Sequence, residues 1–259
     1  MTLNSYAELG RKYPLLLYMQ REMSAFLSRF PVLFMPMVRL FLILQKQKFK
    51  MPHILVSNDT ELVIEGYPRS ANTFAVVAFE LAQGRPVSIA HHLHLPLNVV
   101  LAAKRNLPCL VLIRDPDEAV LSLTVGFLKT GIRQALREYV RFYKRIKPYR
   151  EHYVVASFEE VTQDFGLVIR KMNRKFGTNY REFEHTPENV KKCFERIELI
   201  TFWQDRLPRV NEVTVPRPSL YRQALKDKIE RGLQSPALEG LRKPAYYLYQ
   251  DFLSYTNHP

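Results

Sequence analysis

Cysteine is scarce in this sequence, and its scarcity excludes two ways of stabilising a fold. The 259 residues include only Cys109 and Cys193, which lie far apart and lack the close spacing of metal ligands. A disulfide framework needs several cysteines, and a cysteine zinc site needs neighbouring ones. Hydrophobic residues make up 47% of the chain, so an apolar core can hold the fold instead. We therefore predict a globular protein of a reducing, cytoplasmic compartment.

Long hydrophobic runs are also missing. The strongly apolar stretch from Pro31 to Leu44 has 14 residues, contains Arg39 and is interrupted by Pro36. A helix that spans a bilayer needs roughly 20 apolar residues. The first residues show no basic start, apolar core and small-residue cleavage site of a secretory signal. The sequence therefore predicts neither a transmembrane helix nor secretion.

Acidic residues are outnumbered, because 25 Asp and Glu face 38 Lys and Arg, which gives a net charge of +13. Nucleic acid, anionic lipid and a phosphorylated nucleotide all fit such a field, as does a basic surface that only aids solubility. Basic residues also alternate with apolar runs in residues 13–50. Two hypotheses stay open for this segment: a peripheral membrane contact, and helices packed on the body of the domain.

Strands and helices alternate through the middle of the chain. Apolar runs predict buried strands at residues 62–67, 109–113 and 153–158. The spacing of apolar residues at 73–83 and 132–147 predicts helices between them. This alternation favours an α/β fold in a single domain, residues 1–259, with a central parallel sheet flanked by helices. In such folds ligands bind at the carboxyl ends of the strands.

The segment between the first strand and its helix has the form of a phosphate-binding loop. In residues 66–73, G-Y-P-R-S-A-N-T, backbone amides and a helix N-terminus would point at an anion. The ATPase motif G-x-x-x-x-G-K-[ST] can be laid on these residues, but Ala71 stands at its second glycine and Asn72 at its lysine. A cation, Arg69, comes three residues before Asn72. The loop therefore predicts phosphate binding without the machinery of Mg-NTP hydrolysis.

Residues 67–74, Y-P-R-S-A-N-T-F, resemble the Y-P-K-S-G-T-T-W loop of sulfotransferases that use 3′-phosphoadenosine 5′-phosphosulfate (PAPS). The resemblance implies the three-layer, P-loop-type α/β fold of that family, and Phe74 would stack on adenine. The residues that would bind the 5′-phosphosulfate are Arg69, Ser70, Ala71, Asn72 and Thr73. This sequence departs from the family at Arg69, which replaces a lysine, and at Ala71, which replaces a glycine. A planar guanidinium is not equivalent to a point ammonium, so an altered turnover is one expectation.

A second resemblance lies after the strand at 109–113. Arg114-Asp115-Pro116 followed by Ser122 is similar to the family signature R-[DN]-P-x-x-x-x-x-S, which binds the 3′-phosphate of PAPS. Arg114 ends a strand and Ser122 lies in the next helix, so a guanidinium and a hydroxyl would converge on one phosphate. The alternative is a structural ion pair between Arg114 and Asp115 at a turn.

Three histidines follow in residues 90–96, A-H-H-L-H-L-P. The segment from His94 to Pro96 resembles the H-L-P segment that carries the family's general base, so His94 is the candidate base. A histidine with an ordinary pKa is largely neutral near pH 7 and can accept a proton. His92 matches a family lysine that stabilises the sulfuryl group. A structural role is the alternative for these histidines, mainly for His91. The histidines could also bind a metal, but no acidic or cysteine ligand lies nearby in the sequence and the family uses none, so we predict no metal.

The later family elements are less distinct. Residues 157–160, S-F-E-E, are similar to a Y-E-D element near adenine, which makes Phe158 either a nucleotide contact or a core residue. The family's R-K-G element, another 3′-phosphate contact, has no clean counterpart. Arg217 is our candidate for it, and Arg222 is the other nearby arginine.

Together the motifs predict a PAPS-dependent sulfotransferase that transfers a sulfuryl group in line to a hydroxyl or amine acceptor, without a metal. Three alternatives stay open: a nucleotide kinase, a PAPS-binding protein with impaired catalysis, and a basic module for nucleic acid or membranes. We do not expect a nucleic-acid partner. The acceptor pocket would come from variable loops and the helical N-terminal segment, residues 1–55, whose aromatic residues hint at a small-molecule or lipid-like acceptor with a hydroxyl.

Overall fold

Four parallel strands, ordered β2-β1-β3-β4, form the centre of the fold. The computed structural model describes residues 14–44, 54–126, 130–205, 212 and 217–256. The strands are β1 (Leu62–Gly66), β2 (Ile89–His91), β3 (Cys109–Ile113) and β4 (Val154–Ser157). The predicted α/β class with a parallel sheet flanked by helices is confirmed.

Helices connect and cover these strands. In chain order they are α1 (Pro14–Leu27), α2 (Pro31–Leu44), α3 (Asn72–Gln83), α4 (Leu97–Arg105), α5 (Pro116–Gly126), α6 (Ile132–Ile146), α7 (Phe158–Gln163), α8 (Phe165–Phe176), α9 (Pro187–Asp205), α10 (Leu220–Leu233) and α11 (Glu239–Leu253). Short 3-10 turns at Lys147–His152 and Pro236–Leu238 precede β4 and α11. No helix among the described residues is long and apolar enough to cross a membrane.

The sheet is buried on both faces. Successive residues of a strand point to opposite faces, and in these strands apolar residues point to both. In β3, Cys109, Val111 and Ile113 belong to one apolar cluster, while Leu110 and Leu112 belong to another. Helices α4, α5, α6 and α11 contribute to the first cluster, and α3, α8 and α9 contribute to the second. This alternation across a pleated strand produces the three layers.

The first two helices are attached to the domain through α6. Arg21 of α1 donates to Glu138, with 2.8 Å between Nε and Oε1, and Arg141 of α6 lies 2.7 Å from Glu22. Phe34 of α2 is buried in the first apolar cluster. The helices therefore rest on the domain, while residues 1–13 and 45–53, including the basic segment from Lys46 to Lys50, lie outside the described residues.

Candidate functional site

The predicted phosphate loop connects the end of β1 to the start of α3. Arg69 and Ala71 both have left-handed backbone conformations, with φ angles of 72° and 67°. This conformation costs a residue other than glycine roughly 1–2 kcal/mol, so other contacts in the loop must offset it. Ala71 is the N-cap residue of α3 and makes no side-chain cap bond. The first amide groups of α3 therefore lack the side-chain acceptor that usually occupies a helix N-terminus.

Buried hydrogen bonds hold the loop in place. Asn72 Nδ2 donates to the Tyr67 carbonyl at 3.0 Å, and the Tyr67 hydroxyl donates to the Ala135 carbonyl at 2.9 Å. The Tyr143 hydroxyl donates to the Leu112 carbonyl at 2.8 Å and lies 3.4 Å from the Tyr67 amide. Burial raises the pKa of both tyrosines, so their hydroxyls remain neutral donors. The loop is thus anchored to β3 and α6 before any ligand binds.

Three arginines lie together where the loop faces α5. Arg69 Nε donates to Ser122 Oγ at 3.2 Å, and Arg222 Nη2 donates to the same oxygen at 2.5 Å. Arg114 Nη1 donates to the Arg69 carbonyl at 3.1 Å. Ser122 is only 2% exposed. We call Arg69, Arg114, Arg222 and Ser122 the arginine cluster.

The positive charges of the three arginines in the cluster repel one another. Burial, followed by repulsion from Arg222 and Arg114, lowers the pKa of Arg69 to about 9. Burial and Arg114 lower the pKa of Arg222 to about 10. Both guanidinium groups still carry their charge at pH 7, so an anion bound beside Ser122 would reduce a repulsion that the protein alone must tolerate.

Arg114 is oriented by its neighbours. Its guanidinium lies 4.0 Å from the centre of the Phe158 ring, and its Nη2 is 3.1 Å from Glu118 Oε2. Asp115 does not form the ion pair that the sequence left open. Its Oδ1 instead accepts hydrogen bonds from the amides of Asp117 and Glu118, both at 3.0 Å, and so caps α5. Phe158 is the first residue of α7 and supports the arginine with its ring face.

Of the two late arginines considered for the 3′-phosphate, Arg222 belongs to the arginine cluster. Arg217 forms ion pairs with Glu198 and Glu212. Arg222 lies in the first turn of α10, which begins after the N-cap Ser219, and its side chain points into the domain. The cap Ser219 indicates where α10 begins, but no local pattern in the sequence connects Arg222 to Ser122. The assignment of Arg217 to a phosphate stays a prediction.

His94 lies on the other side of the loop. Its Nδ1 is 3.0 Å from the carbonyl oxygen of Gly66, the last residue of β1. A carbonyl can only accept, so this contact places the proton on Nδ1 and leaves Nε2 with its lone pair. The side chain is 26% exposed, and burial lowers the pKa of His94 to about 4. His94 is therefore neutral at pH 7, and the lone pair of its imidazole lies on Nε2.

Glu65 fixes the backbone around His94. It is fully buried and accepts hydrogen bonds from the Leu93 amide at 2.9 Å, the His94 amide at 3.2 Å and Asn98 Nδ2 at 2.9 Å. Burial raises the pKa of Glu65 to about 8 against the effect of these donors. The apolar pattern of residues 62–67 predicts Glu65 only as part of a buried strand. A carboxylate in an otherwise apolar strand was the signal that it has partners there.

His92 connects the histidine segment to the phosphate loop. Its Nε2 is 3.0 Å from Thr73 Oγ1, its Nδ1 contacts Nδ1 of His91, and its ring centre lies 5.5 Å from that of His94. Burial and the two neighbouring histidines lower the pKa of His92 well below its usual range. Within the described ranges, no group of three or more His, Cys, Asp or Glu side chains is arranged to hold a metal ion.

Phe74 lies among other aromatic rings. It is 4% exposed, and its ring centre is 6.3 Å from Phe183, 5.9 Å from His185 and 5.7 Å from Phe194. These contacts explain an aromatic residue at this position by packing. Its stacking on adenine stays a prediction.

Comparison with known proteins gives a distant likeness in structure but none in sequence. No family model matches the sequence, and no curated protein matches it. Among solved structures, the chain is similar to that of mouse sulfotransferase SULT7A1 complexed with PAP, with 11% sequence identity and a TM-score of 0.40. The match covers 78% of this chain and 88% of the mouse chain. A similarity this low says nothing about activity, which must be inferred from the site itself.

Proposed function

We propose that this protein is a sulfotransferase that moves a sulfuryl group from PAPS to a hydroxyl or amine acceptor. One observation carries the proposal. The arginine cluster and the neutral imidazole of His94 flank the same phosphate loop, at the carboxyl ends of β1 and β3. A donor with phosphates at two positions needs two anion sites, and the acceptor needs a base next to one of them.

The donor would bind across the loop. The 5′-phosphosulfate fits the loop from Arg69 to Thr73 and the N-terminus of α3, where backbone amides face an anion. The 3′-phosphate fits the arginine cluster, since Ser122 already receives hydrogen bonds from Arg69 and Arg222. Lys226 forms an ion pair with Glu118, from which its Nζ lies 2.7 Å away. Its positive charge offsets the negative charge of this carboxylate beside Arg114. The net charge of +13 would favour the approach of this polyanion.

The chemistry then needs one proton transfer and one displacement. His94 Nε2 takes the proton of the acceptor as its oxygen attacks sulfur, and a new S–O bond forms. The S–O bond to the 5′-phosphate breaks, which leaves a sulfate ester and 3′-phosphoadenosine 5′-phosphate (PAP). Arg69 offsets the charge that grows on the leaving phosphate, and His92 beside Thr73 faces the transferring group.

A second candidate is a protein that binds PAPS without transferring sulfate. The position of Arg69 favours it, because its Nε donates to Ser122 in the arginine cluster. Charge that serves the 3′-phosphate is less available to the leaving group. The kinase alternative is disfavoured, since Asn72 stands at the Walker lysine and bonds to the Tyr67 carbonyl.

A transfer assay separates these candidates. PAPS labelled with radioactive sulfur would be incubated with the protein and a panel of phenols, sterols and dispersed hydroxyl lipids. We expect labelled product with the natural chain and a rate roughly 100- to 10,000-fold lower with His94→Ala, because a general base is lost. PAP binding should be unchanged in that variant. Binding of PAP without transfer to any acceptor would favour the second candidate, and no PAP binding would reject both.

A further inference from the structure

Helices α1 and α2 expose an apolar surface to solvent. Six large apolar side chains on it are between 53% and 85% exposed. They are Met19, Met23, Phe26, Val32, Leu33 and Leu40. On α1 they recur at intervals of three and four residues, which places them on one helix face. We call this surface the apolar hairpin face, and an exposed patch of this kind usually marks a contact with a partner.

The hairpin face is not the side on which these helices pack. Arg21 and Glu22 of α1 pair with Glu138 and Arg141 of α6, and Phe34 of α2 is buried in the core. The helices are thus fixed to the domain by their other side. The apolar side chains are left over after the packing of the domain is complete.

The charge around the face identifies its partner. Residues 14–44, which form the two helices and the turn between them, contain three arginines against Glu22 as their one acidic residue. Among the described residues, Arg29 lies exposed between the two helices, and Arg137 lies exposed on α6, close enough to Glu22 to lower its pKa. A second copy of this chain would bring like charges together, which opposes self-association. An anionic lipid surface instead satisfies both the apolar side chains and the basic rim.

We propose that the apolar hairpin face binds peripherally to an anionic membrane, with α1 and α2 lying in the plane of the interface. The apolar side chains enter the boundary between headgroups and acyl chains, and Arg29 and Arg137 contact lipid phosphates. This binding does not depend on the proposed function.

Vesicle flotation tests the surface directly. The purified full chain would be mixed with vesicles of phosphatidylcholine alone or of phosphatidylcholine with phosphatidylglycerol. We expect binding to the anionic vesicles, weaker binding to the neutral ones, and a loss of at least tenfold with the triple variant Met23→Ser, Phe26→Ser and Leu33→Ser. The matched control is Leu220→Ser with Tyr247→Ser, two exposed apolar residues outside the hairpin, which should bind as the natural chain does.

A labelling experiment guards against misfolding of the triple variant. Both natural cysteines are buried, so Met23→Cys introduces an exposed thiol for a polarity-sensitive dye. Its emission should shift to the blue when anionic vesicles are added, whereas the same dye at Leu220→Cys should not respond. Failure of the natural chain to float, equal binding by the triple variant, or an unresponsive dye at position 23 would each overturn the proposal. A natural chain that forms dimers through this face and ignores vesicles would overturn it as well.

Discussion

The Ser122 hydroxyl accepts hydrogen bonds from two guanidinium groups although it carries no negative charge. Arg69 and Arg222 donate to its hydroxyl, and Arg114 lies close enough to lower the pKa of both. A neutral acceptor between like charges is poor compensation for their burial. A ligand with two or more negative charges would supply it, and would stabilise the folded chain by mass action.

The first prediction separates the two late arginines. Arg222→Ala should weaken PAP binding about 10- to 100-fold, because a hydrogen bond to a charged group is worth about 1.5–3 kcal/mol. Arg217→Ala should change the Kd little, since Arg217 is paired with Glu198 and Glu212. Calorimetric titration of both variants measures the difference. A larger loss of PAP affinity in Arg217→Ala than in Arg222→Ala would instead assign the 3′-phosphate contact to Arg217.

His94 sets the expected pH dependence of transfer. A general base works only when unprotonated, and burial lowers the pKa of His94 to about 4. Activity should therefore persist as the pH falls from 7 to 5 and decline only nearer pH 4. The quantity to follow is kcat/KM for PAPS. An acid limb near pH 6.5, the ordinary value for histidine, would contradict the buried environment described here.

Glu65 should make the free energy of unfolding depend on pH. Its pKa is raised from 4.5 to about 8 in the folded chain, so the folded state binds the extra proton between these values. Its contribution is complete below about pH 4.5 and is lost as the pH rises through about 8. The free energy of unfolding of the natural chain, relative to that of Glu65→Gln, should fall across this interval. Urea denaturation at several pH values tests this, and parallel profiles would show that Glu65 does not titrate there.

At the scale of elements, the contact of β1 with β3 positions both halves of the site. Gly66 ends β1 beside Leu112, and its carbonyl holds His94. A Cβ added to Gly66 would lie 2.5 Å from the Leu112 carbonyl oxygen and 2.9 Å from its Cβ. Backbone in the middle of a sheet cannot move to accept it.

Gly66→Ala should accordingly destabilise the fold by about 1–3 kcal/mol or more through overpacking. The matched control is Gly240→Ala in α11, where an added Cβ meets nothing within 4 Å. That change should be neutral or stabilising by up to about 1 kcal/mol, because alanine restricts the unfolded chain. Chemical denaturation compares the two variants. Equal stability of both would mean that β1 and β3 are not in close contact at this residue.

Sequence patterns predicted the longer elements because their apolar periodicity is strong. The strands at 62–66, 109–113 and 154–157 and helix α6 all follow from it. Strand β2 was not predicted, because it has three residues and its partner, β1, is what makes it a strand. Phe158 was placed in a strand but begins α7, since Ser157 and Glu160 form a capping box that starts a helix there.

The site was predictable where neighbouring residues carry it and not where the fold assembles it. Motif spacing predicts Arg69, Arg114, Ser122 and His94 as site residues. Arg222 comes from a helix 100 residues after Ser122, so no local pattern connects them. Tertiary contacts of this kind become visible only once the chain is folded.

At the scale of the whole molecule, the two proposals would give the net charge of +13 two local uses. The arginine cluster concentrates positive charge at the carboxyl edge of the sheet, and the N-terminal helices carry it around an apolar surface. One use would depend on a nucleotide and the other on a membrane. Increasing salt should weaken vesicle binding more than PAP binding, since exposed charges are screened more strongly than buried ones.

The most direct test of the proposed function is calorimetric titration with PAP, with adenosine 5′-monophosphate and with Mg-ATP. We predict micromolar binding of PAP, clearly weaker binding of the other two nucleotides, and loss of the preference for PAP in Arg114→Ala. That result would locate recognition of the 3′-phosphate in the arginine cluster. Preference for Mg-ATP, equal binding of PAP and the monophosphate, or no nucleotide binding by a folded sample would contradict the account.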